Sequence, residues 1–321
     1  MVTWRKPALA ALTLLSVLAI AACGSSNSSS SASSSAAPAA PASTSTSSST
    51  PAASSSSGGA NAAVAKLVPA AIKSKGTLTV AADGSYAPDE YFAPDGHTVI
   101  GMDADLSKAI AALMGLKANV VNVTFDSIIP GLAAGKYDMG ASSFSDNKTR
   151  EKTVDFVDYA SVGESFYTKA SGGTTISSIA DICGKTVSVE KGTTEEADAG
   201  TQSTKCKKEG KPGVTVLSYT DQNGANLAVA SGRAQLGFAD TPVAAYQVKK
   251  TNGQFKLTGA AYATGPYGLA IPKNSGLAPA VQAAVKELVQ NGTYTAIFKK
   301  WGLPASIVIP VSAVKINGAT S

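Results

Sequence analysis

Three serine hydroxyls and one guanidinium lie close together in the sequence between residues 142 and 150. Ser142, Ser143 and Ser145 follow an apolar stretch, and Arg150 comes five residues after the last serine. A guanidinium presents a planar fork of donors to both oxygens of a carboxylate, and hydroxyl and backbone N–H groups can complete the shell. The pattern predicts a carboxylate-binding site. Taken alone, it is equally compatible with a serine-rich loop that ends in a surface arginine.

The surrounding sequence alternates between strand-like and helix-like segments. Residues 77–82 and 137–141 are apolar runs typical of buried strands, and residues 105–114 carry apolar side chains at helical spacing. This alternation predicts an α/β fold with parallel sheets covered by helices, whose ligands lie beyond the carboxyl ends of the strands. Asp83 and Ser142 both follow such strands. We therefore expect them in one cleft.

A second α/β unit farther along the chain places more polar groups at strand ends. Thr194 follows Gly192 at the predicted amino end of a helix, where backbone N–H groups without intrahelical partners attract anions. Asp240 ends a short strand over residues 235–240. It could be a binding residue, or it could simply cap the helix that begins near Pro242.

The amino terminus has the layout of a secretory leader. Arg5 and Lys6 precede an apolar run that ends at Ala22 and is too short to span a bilayer, so residues 1–22 are predicted to be removed. The run closes on Cys23 and resembles the lipobox of bacterial lipoproteins, in which this cysteine becomes acylated, for example with palmitate. Acyl chains would anchor the protein to the outer face of the cell membrane. An ordinary leader cut after the alanine pair is the alternative.

Residues 23–65 are predicted to be a disordered tether. The segment is mainly Ser, Ala, Pro and Thr, with almost no charge and almost no large apolar side chain, so it cannot bury enough surface to offset its ordering entropy. A flexible coil of about 40 residues has a root-mean-square reach on the order of 35 Å. A glycosylated stalk is the alternative.

Composition argues against several classes of protein and site. Without Arg5 and Lys6 of the leader, 25 basic and 22 acidic side chains remain, and this net charge of +3 is too small to indicate nucleic-acid binding. After Cys23 the remaining cysteines are Cys183 and Cys206, and in an exported protein we predict a disulfide between them. Two cysteines and the single His97 lack the spacing of metal ligands, so neither a metal nor a cofactor is expected. No segment beyond the leader is apolar enough to span a membrane.

Several short motifs occur together in the order and spacing of a known family. They are residues 83–88, 101–106, 125–138, 142–156, 192–194, 239–240 and 300–302. Residues 76–302 thus resemble the polar-amino-acid substrate-binding proteins of ATP-driven importers, the bacterial extracellular solute-binding proteins of family 3.

The resemblance implies a two-lobed periplasmic-binding-protein fold of type II. In this fold each lobe is a mainly parallel sheet flanked by helices, and two crossover strands form the hinge. Lobe 1 would comprise residues 66–168 plus 261–321, and lobe 2 would comprise residues 169–260. A ligand that contacts both lobes would favour the closed state.

The resemblance also implies how the two poles of an amino acid are bound. Arg150, supported by Ser143, Ser145 and Thr194, would bind the α-carboxylate, and Asp240 would accept from the α-ammonium. Each pole of the zwitterion then meets an opposite charge, which matters because an unpaired buried charge is costly.

The implied pocket for the ligand side chain is less sharply defined. Tyr86 and Phe125 would form its walls, Asp83 would line it, and Ser142 would add a backbone or hydroxyl contact. Asp83, together with Glu90, could favour a basic ligand such as arginine or lysine. An acid at the position of Asp83 also occurs in binders of uncharged ligands, so the prediction is a polar L-amino acid that could be basic.

The sequence departs from the family pattern at one place near the implied pocket. After Pro88 the chain continues with Asp89 and Glu90, whereas many relatives have an aromatic residue and then an acid.

The implied function is that of a monomeric binding protein that is not an enzyme. It would act outside the cytoplasm, anchored to the membrane by lipid alone, and would deliver its amino acid to an ABC permease. Two alternatives on the same fold are a dehydratase-like enzyme, for which Asp83 would be the acid or base, and a ligand-sensing lipoprotein.

Overall fold

A computed structural model describes residues 59–320 of the chain. The predicted leader, the predicted lipidation site Cys23 and most of the predicted tether lie outside the described residues.

A short helix corrects the end of the predicted tether. Helix α1 (Ala62–Leu67) begins inside the segment 23–65. The side chain of Asn61 accepts hydrogen bonds from the N–H groups of Ala63 and Val64 and so caps the helix. Val64 is buried in the core, which means that the folded part of the chain starts earlier than predicted.

The first part of lobe 1 is built from short strands and helices. In chain order the elements are α2 (Ala70–Lys75), β1 (Thr77–Ala82), β2 (Ser85–Tyr86), β3 (Glu90–Phe92), β4 (Val99–Ile100), α3 (Met102–Leu113), β5 (Lys117–Asn122), α4 (Phe125–Ala133) and β6 (Met139–Gly140). A single 3-10 turn, Arg150–Lys152, precedes the first hinge strand.

The hinge strands and lobe 2 follow, and two helices return to lobe 1. The elements are β7 (Val154–Lys169), β8 (Thr186–Glu190), α5 (Thr194–Lys208), β9 (Thr215–Tyr219), α6 (Gln222–Ser231), β10 (Leu236–Asp240), α7 (Thr241–Lys250), β11 (Phe255–Pro272), α8 (Ala278–Gln290) and α9 (Thr293–Lys300).

One eight-stranded sheet runs through both lobes in the order β5-β1-β6-β11-β7-β10-β8-β9. Strands β5, β1 and β6 are parallel in lobe 1, and β10, β8 and β9 are parallel in lobe 2. The long strands β7 and β11 pair antiparallel between the two sets, with register shifts between Thr258 and Gly265. These are the two crossover strands that the sequence predicted. The strand predicted over residues 268–272 is only the end of β11.

The parallel strands direct alternate side chains to opposite faces, as the period of a strand requires. In β1, Leu78 and Val80 pack in a core with α3 and α8, whereas Ala81 packs on the other face with Ile128 of α4. In lobe 2, Val187 and Val189 of β8 pack with Cys206 of α5.

A disulfide joins Cys183 to Cys206, as predicted, and ties α5 to the loop before β8. Within residues 59–320, no helix combines the length and apolar character that crossing a membrane requires.

Residues 305–320 form a segment that the sequence did not reveal. The segment runs beside β7, where Asp158 N–H donates to Lys315 O at 2.9 Å and Asn317 N–H donates to Phe156 O at 3.0 Å. Its apolar side chains are irregularly spaced and interrupted by Pro310, which is why no periodic pattern predicted it.

Candidate functional site

The two lobes enclose a cavity that brings most of the predicted site residues together. Seven of the nine predicted ligand-binding residues line it: Tyr86, Phe125, Ser143, Ser145, Arg150, Thr194 and Asp240. Thr193 and Glu195 complete the lining. The remaining two, Asp83 and Ser142, lie outside this lining.

The described state is closed, because side chains of the two lobes contact each other around the cavity. Tyr86 Oη donates to Asp240 Oδ2 at 3.1 Å, and the hydroxyls of Ser145 and Thr194 are 3.3 Å apart. Each pair joins a residue before the first hinge strand to a residue after it. The site is therefore divided between the lobes, as hinge closure around a ligand requires.

Arg150 is the first residue of the 3-10 turn and lines the cavity. Its backbone N–H donates to Asn147 Oδ1 at 2.9 Å, which fixes the turn. Its guanidinium donates to Ser145 O at 2.8 Å and, across the lobes, to Gly192 O at 3.0 Å. The guanidinium carbon also lies 5.4 Å from the ring centre of Phe125. Two anchored donors leave others of the five guanidinium N–H groups for an anion.

The charge of Arg150 is balanced by acids of the other lobe. Burial lowers the pKa of Arg150, and the charges of Glu195 and Asp240 oppose that shift. Arginine stays protonated throughout, so the cavity carries a permanent cation at this end.

Asp240 is a cavity residue, and the capping alternative is wrong for its side chain. The residue stands at the N-cap position of α7, but its side chain caps no helix N–H. Instead its carboxylate accepts from Tyr86, and it is only 5% exposed. Burial raises the pKa of Asp240 well above its ordinary value, and the charge of Glu164 adds to the increase. A ligand ammonium beside the carboxylate would oppose this increase in pKa.

Ser142 and Ser143 are held by buried carboxyl groups of lobe 1. Ser142 Oγ donates to Glu90 Oε1 at 2.9 Å, and Ser143 Oγ donates to Asp89 Oδ2 at 3.1 Å. Ser143 N–H donates to Asp103 Oδ2 at 2.8 Å. The hydroxyls therefore face the interior of lobe 1, and we name Asp89, Glu90 and Asp103 the lobe 1 carboxyl cluster.

The lobe 1 carboxyl cluster also explains an unusual backbone conformation. Ser143 has a φ of 48°, in the left-handed region that residues other than glycine seldom adopt. The bond from its N–H to Asp103 holds this conformation beside the cavity. Asp89, where the sequence departs from the family pattern, accepts from Ser143 Oγ and so helps to hold this residue of the cleft wall.

Asp83 is fixed by lobe 1 at the end of β1. Its two carboxylate oxygens accept from Ser85 N–H and Phe125 N–H, each at 3.0 Å, and its own N–H donates to Ser142 Oγ at 2.9 Å. Desolvation by burial raises the pKa of Asp83.

Two buried glutamates of lobe 2 were missed by the sequence analysis. Glu190 ends β8 and Glu195 lies in the first turn of α5, and each is 1% exposed. A usable signal existed for Glu190, because it is a carboxylate at the end of β8 just as Asp240 is at the end of β10. Within residues 59–320, no group of three or more His, Cys, Asp or Glu side chains is arranged to hold a metal ion.

Two lobes that close on a cavity with opposite charges define the class of two-lobed solute-binding proteins. Residues 78–304 match the sequence model of the bacterial extracellular solute-binding proteins, family 3, and the chain belongs to that family.

Two relatives show the range of ligands within the family. The chain is 35% identical to the arginine-binding protein ArgT of Corynebacterium glutamicum, over 75% of this chain and 79% of the relative. It is 28% identical to the L-cystine-binding protein TcyJ of Escherichia coli K12, over 72% of this chain and 84% of the relative.

Solved structures show the same fold. An ancestral arginine-binding protein bound to arginine is 33% identical, with a TM-score of 0.65 over 70% of this chain and 98% of that one. The ancestral amino acid-binding protein AncCDT-1, a precursor of cyclohexadienyl dehydratase, is 32% identical, with a TM-score of 0.64 over 72% of this chain and 97% of that one.

These likenesses confirm the predicted family, the predicted type II fold and the predicted general function. The protein is an extracytoplasmic solute-binding protein of the class that captures amino acids for transport.

Proposed function

We propose that the protein captures a polar L-amino acid by its two charged poles and delivers it to an ABC permease. Arg150, with Ser145 and Thr194, binds the α-carboxylate, and Asp240 accepts from the α-ammonium. Tyr86 closes the cavity over the ligand. The observation that carries the proposal is the placement of a fixed cation and a buried carboxylate from different lobes on one cavity.

The opposite charges explain why a ligand would stabilise closure. Residues 66–168 and 261–321 act as one lobe and residues 169–260 as the other, moving about β7 and β11. A zwitterion contacts Arg150 on the first lobe and Asp240 on the second, so it interacts more strongly with the closed state than with the open one. Differential interaction of this kind is what shifts such an equilibrium.

The proposal also covers attachment to the membrane and a role without catalysis. Lipid on Cys23 anchors a monomer outside the cytoplasm, and residues 23–61 give it reach toward the permease. The relatives named as binding proteins support a role without catalysis. Mass spectrometry of incubated amino acids tests this role, because a chemically altered ligand would favour the enzyme alternative.

Replacement of Arg150 tests the proposed binding of the ligand α-carboxylate. Loss of at least two charge-assisted hydrogen bonds in Arg150→Ala is expected to weaken amino-acid binding by about 100-fold or more, at roughly 1.5 kcal/mol or more per bond. The measurement is titration calorimetry with the amino acid that gives the largest thermal shift among the twenty.

The unfolding transition of the variant is the control. An intact transition with lost binding supports the proposal. An intact transition with unchanged binding contradicts it, and a lost transition would show that Arg150 serves the fold.

A further inference from the structure

Glu190 is a buried carboxylate that nothing in the described chain satisfies. The residue is 1% exposed, and neither of its carboxylate oxygens has a hydrogen-bond partner within residues 59–320. Buried carboxylates ordinarily accept several hydrogen bonds or meet a cation, because an isolated buried charge is costly. A group of this kind points to a partner that arrives from outside the chain.

The direction of the side chain follows from the alternation along β8. Val187 and Val189 pack in the core beside α5. Ser188 faces the other way, and its hydroxyl donates to Ala225 O of α6 at 2.9 Å. Successive side chains of a strand point to opposite faces, so Glu190 lies on the face of Ser188. That face is the one bordered by the amino end of α6, where Asp221 is the N-cap.

Two contacts between the lobes flank Glu190. On one side Lys191, the next residue, pairs with Asp126 of α4 at 2.8 Å. On the other side Gln222, the first residue of α6, donates its N–H to Ser85 Oγ at 3.0 Å. Glu190 therefore lies at the interface of the closed lobes.

Asp83, in lobe 1, lies beside the same two contacts between the lobes. Its carboxylate binds the N–H of Ser85, which contacts α6, and the N–H of Phe125, which precedes the partner of Lys191. Closure consequently brings the carboxylates of Asp83 and Glu190 toward each other from opposite lobes.

The charged groups that shift the pKa of Glu190 are all acidic. Burial raises the pKa of Glu190 well above its ordinary value, and the charges of Asp83, Glu195 and Asp221 raise it further. The neighbouring cation, Lys191, is exposed and pairs with Asp126, so it does not serve Glu190.

We propose that Glu190, facing Asp83, makes the cleft select an L-amino acid with a cationic side chain. This inference rests on the proposed function and names its substrate class. A cationic ligand donates to both carboxylates and cancels their repulsion, so closure becomes favourable. A neutral side chain of the same length leaves two buried carboxylates without a counter-charge, which the site can tolerate only at a cost in affinity.

A purely structural role for Glu190 makes a different prediction. In that case the carboxyl group stays protonated and donates to Asp83, and the neutral pair holds the lobes together whatever the ligand. Replacement by glutamine, which also donates, would then leave the choice among ligands unchanged.

The test compares two ligands of equal length that differ in charge. L-arginine and L-citrulline are titrated into the full-length protein by calorimetry, and L-glutamine serves as a shorter neutral probe. We expect arginine to bind at least about 100-fold more tightly than citrulline. In Glu190→Gln we expect arginine affinity to fall about 10- to 100-fold while citrulline affinity stays within a few-fold, so the ratio collapses.

Asp158→Asn is the matched control variant. Asp158 is 3% exposed and also has an unpartnered carboxylate oxygen, but it lies on β7, where its carboxylate is beside Asp146 and Gly318 and not beside Asp83. We expect this variant to leave both affinities unchanged.

The outcomes separate this inference from the proposed function. Tight binding of glutamine or citrulline, or an arginine-to-citrulline ratio that Glu190→Gln does not change, overturns the inference and leaves amino-acid capture standing. Failure of every amino acid to bind overturns both.

Discussion

The lobe 1 carboxyl cluster and Glu190 of lobe 2 are buried carboxyl groups that differ in how their oxygens are satisfied. In the lobe 1 carboxyl cluster, every member accepts at least one hydrogen bond from Ser142 or Ser143. In lobe 2, Glu190 accepts none within the described chain. The two groups are almost equally buried, so burial alone does not distinguish them. They differ in the hydrogen-bond donors available to them. The lobe 1 carboxyl cluster accepts from Ser142 and Ser143 and supports the cleft wall, whereas the proposed partner of Glu190 is the cation of a ligand.

The largest expected effect comes from removing a donor of the lobe 1 carboxyl cluster. Ser142 Oγ donates to Glu90 and accepts from Asp83 N–H, so Ser142→Ala leaves one buried acceptor and one buried donor unpaired. The free energy of unfolding without ligand is expected to fall by about 2 kcal/mol in urea denaturation. Glu190→Gln should leave it unchanged or raise it, because that variant removes a group that is costly to ionise and breaks no hydrogen bond.

Equal destabilisation by the two variants would contradict the comparison. It would mean that Glu190 has donors in the folded protein and belongs with the structural group.

The pH dependence of affinity should also differ between the two ligands. The pKa of Glu190 is raised in the unliganded protein, and a bound cation lowers it again, so binding of arginine releases protons. Affinity for arginine is therefore expected to rise with pH between the lower pKa of the complex and the raised pKa of the free protein. The limit is about tenfold per pH unit for each proton released.

Calorimetry between pH 5 and 8, in buffers of different ionisation enthalpy, measures both quantities. Citrulline affinity should change less with pH than arginine affinity, and Glu190→Gln should flatten the arginine profile. Identical profiles for the two ligands in the native protein would count against a titrating Glu190.

The pair formed by Asp146 and Asp158 gives the smallest effect, on stability alone. Burial and the charge of Asp146 raise the pKa of Asp158 to about 8. Since this value exceeds the ordinary one near 3.8, the folded state binds more protons, and stability decreases as pH rises from about 4 to about 8. Asp158→Asn should make that decrease shallower in thermal unfolding scans. An unchanged slope would show that Asp158 is ionised in the folded protein.

Many residues of the cleft were predictable because the polar side chains that form it lie at or just after the ends of strands. Arg150 and Asp240 were identified from residue type, position after a strand and family resemblance, and both line the cavity. Asp83 and Ser142 were correctly placed near each other, since their bond joins the ends of neighbouring parallel strands.

The parts that escaped prediction depend on contacts between distant segments. Glu190 follows a valine and precedes a lysine, and sequence does not show that Lys191 turns away to Asp126. The inward direction of Ser142 and Ser143 depends on Asp89, Glu90 and Asp103, at least 39 residues away in sequence, and this is not a periodic pattern.

A crystal structure of the complex with L-arginine tests the account most directly. We predict that the ligand carboxylate contacts Arg150, that its ammonium contacts Asp240, and that its guanidinium lies within hydrogen-bond distance of Glu190 and Asp83. A guanidinium directed away from Glu190, with that carboxyl group bonded to Asp83 instead, would contradict the account.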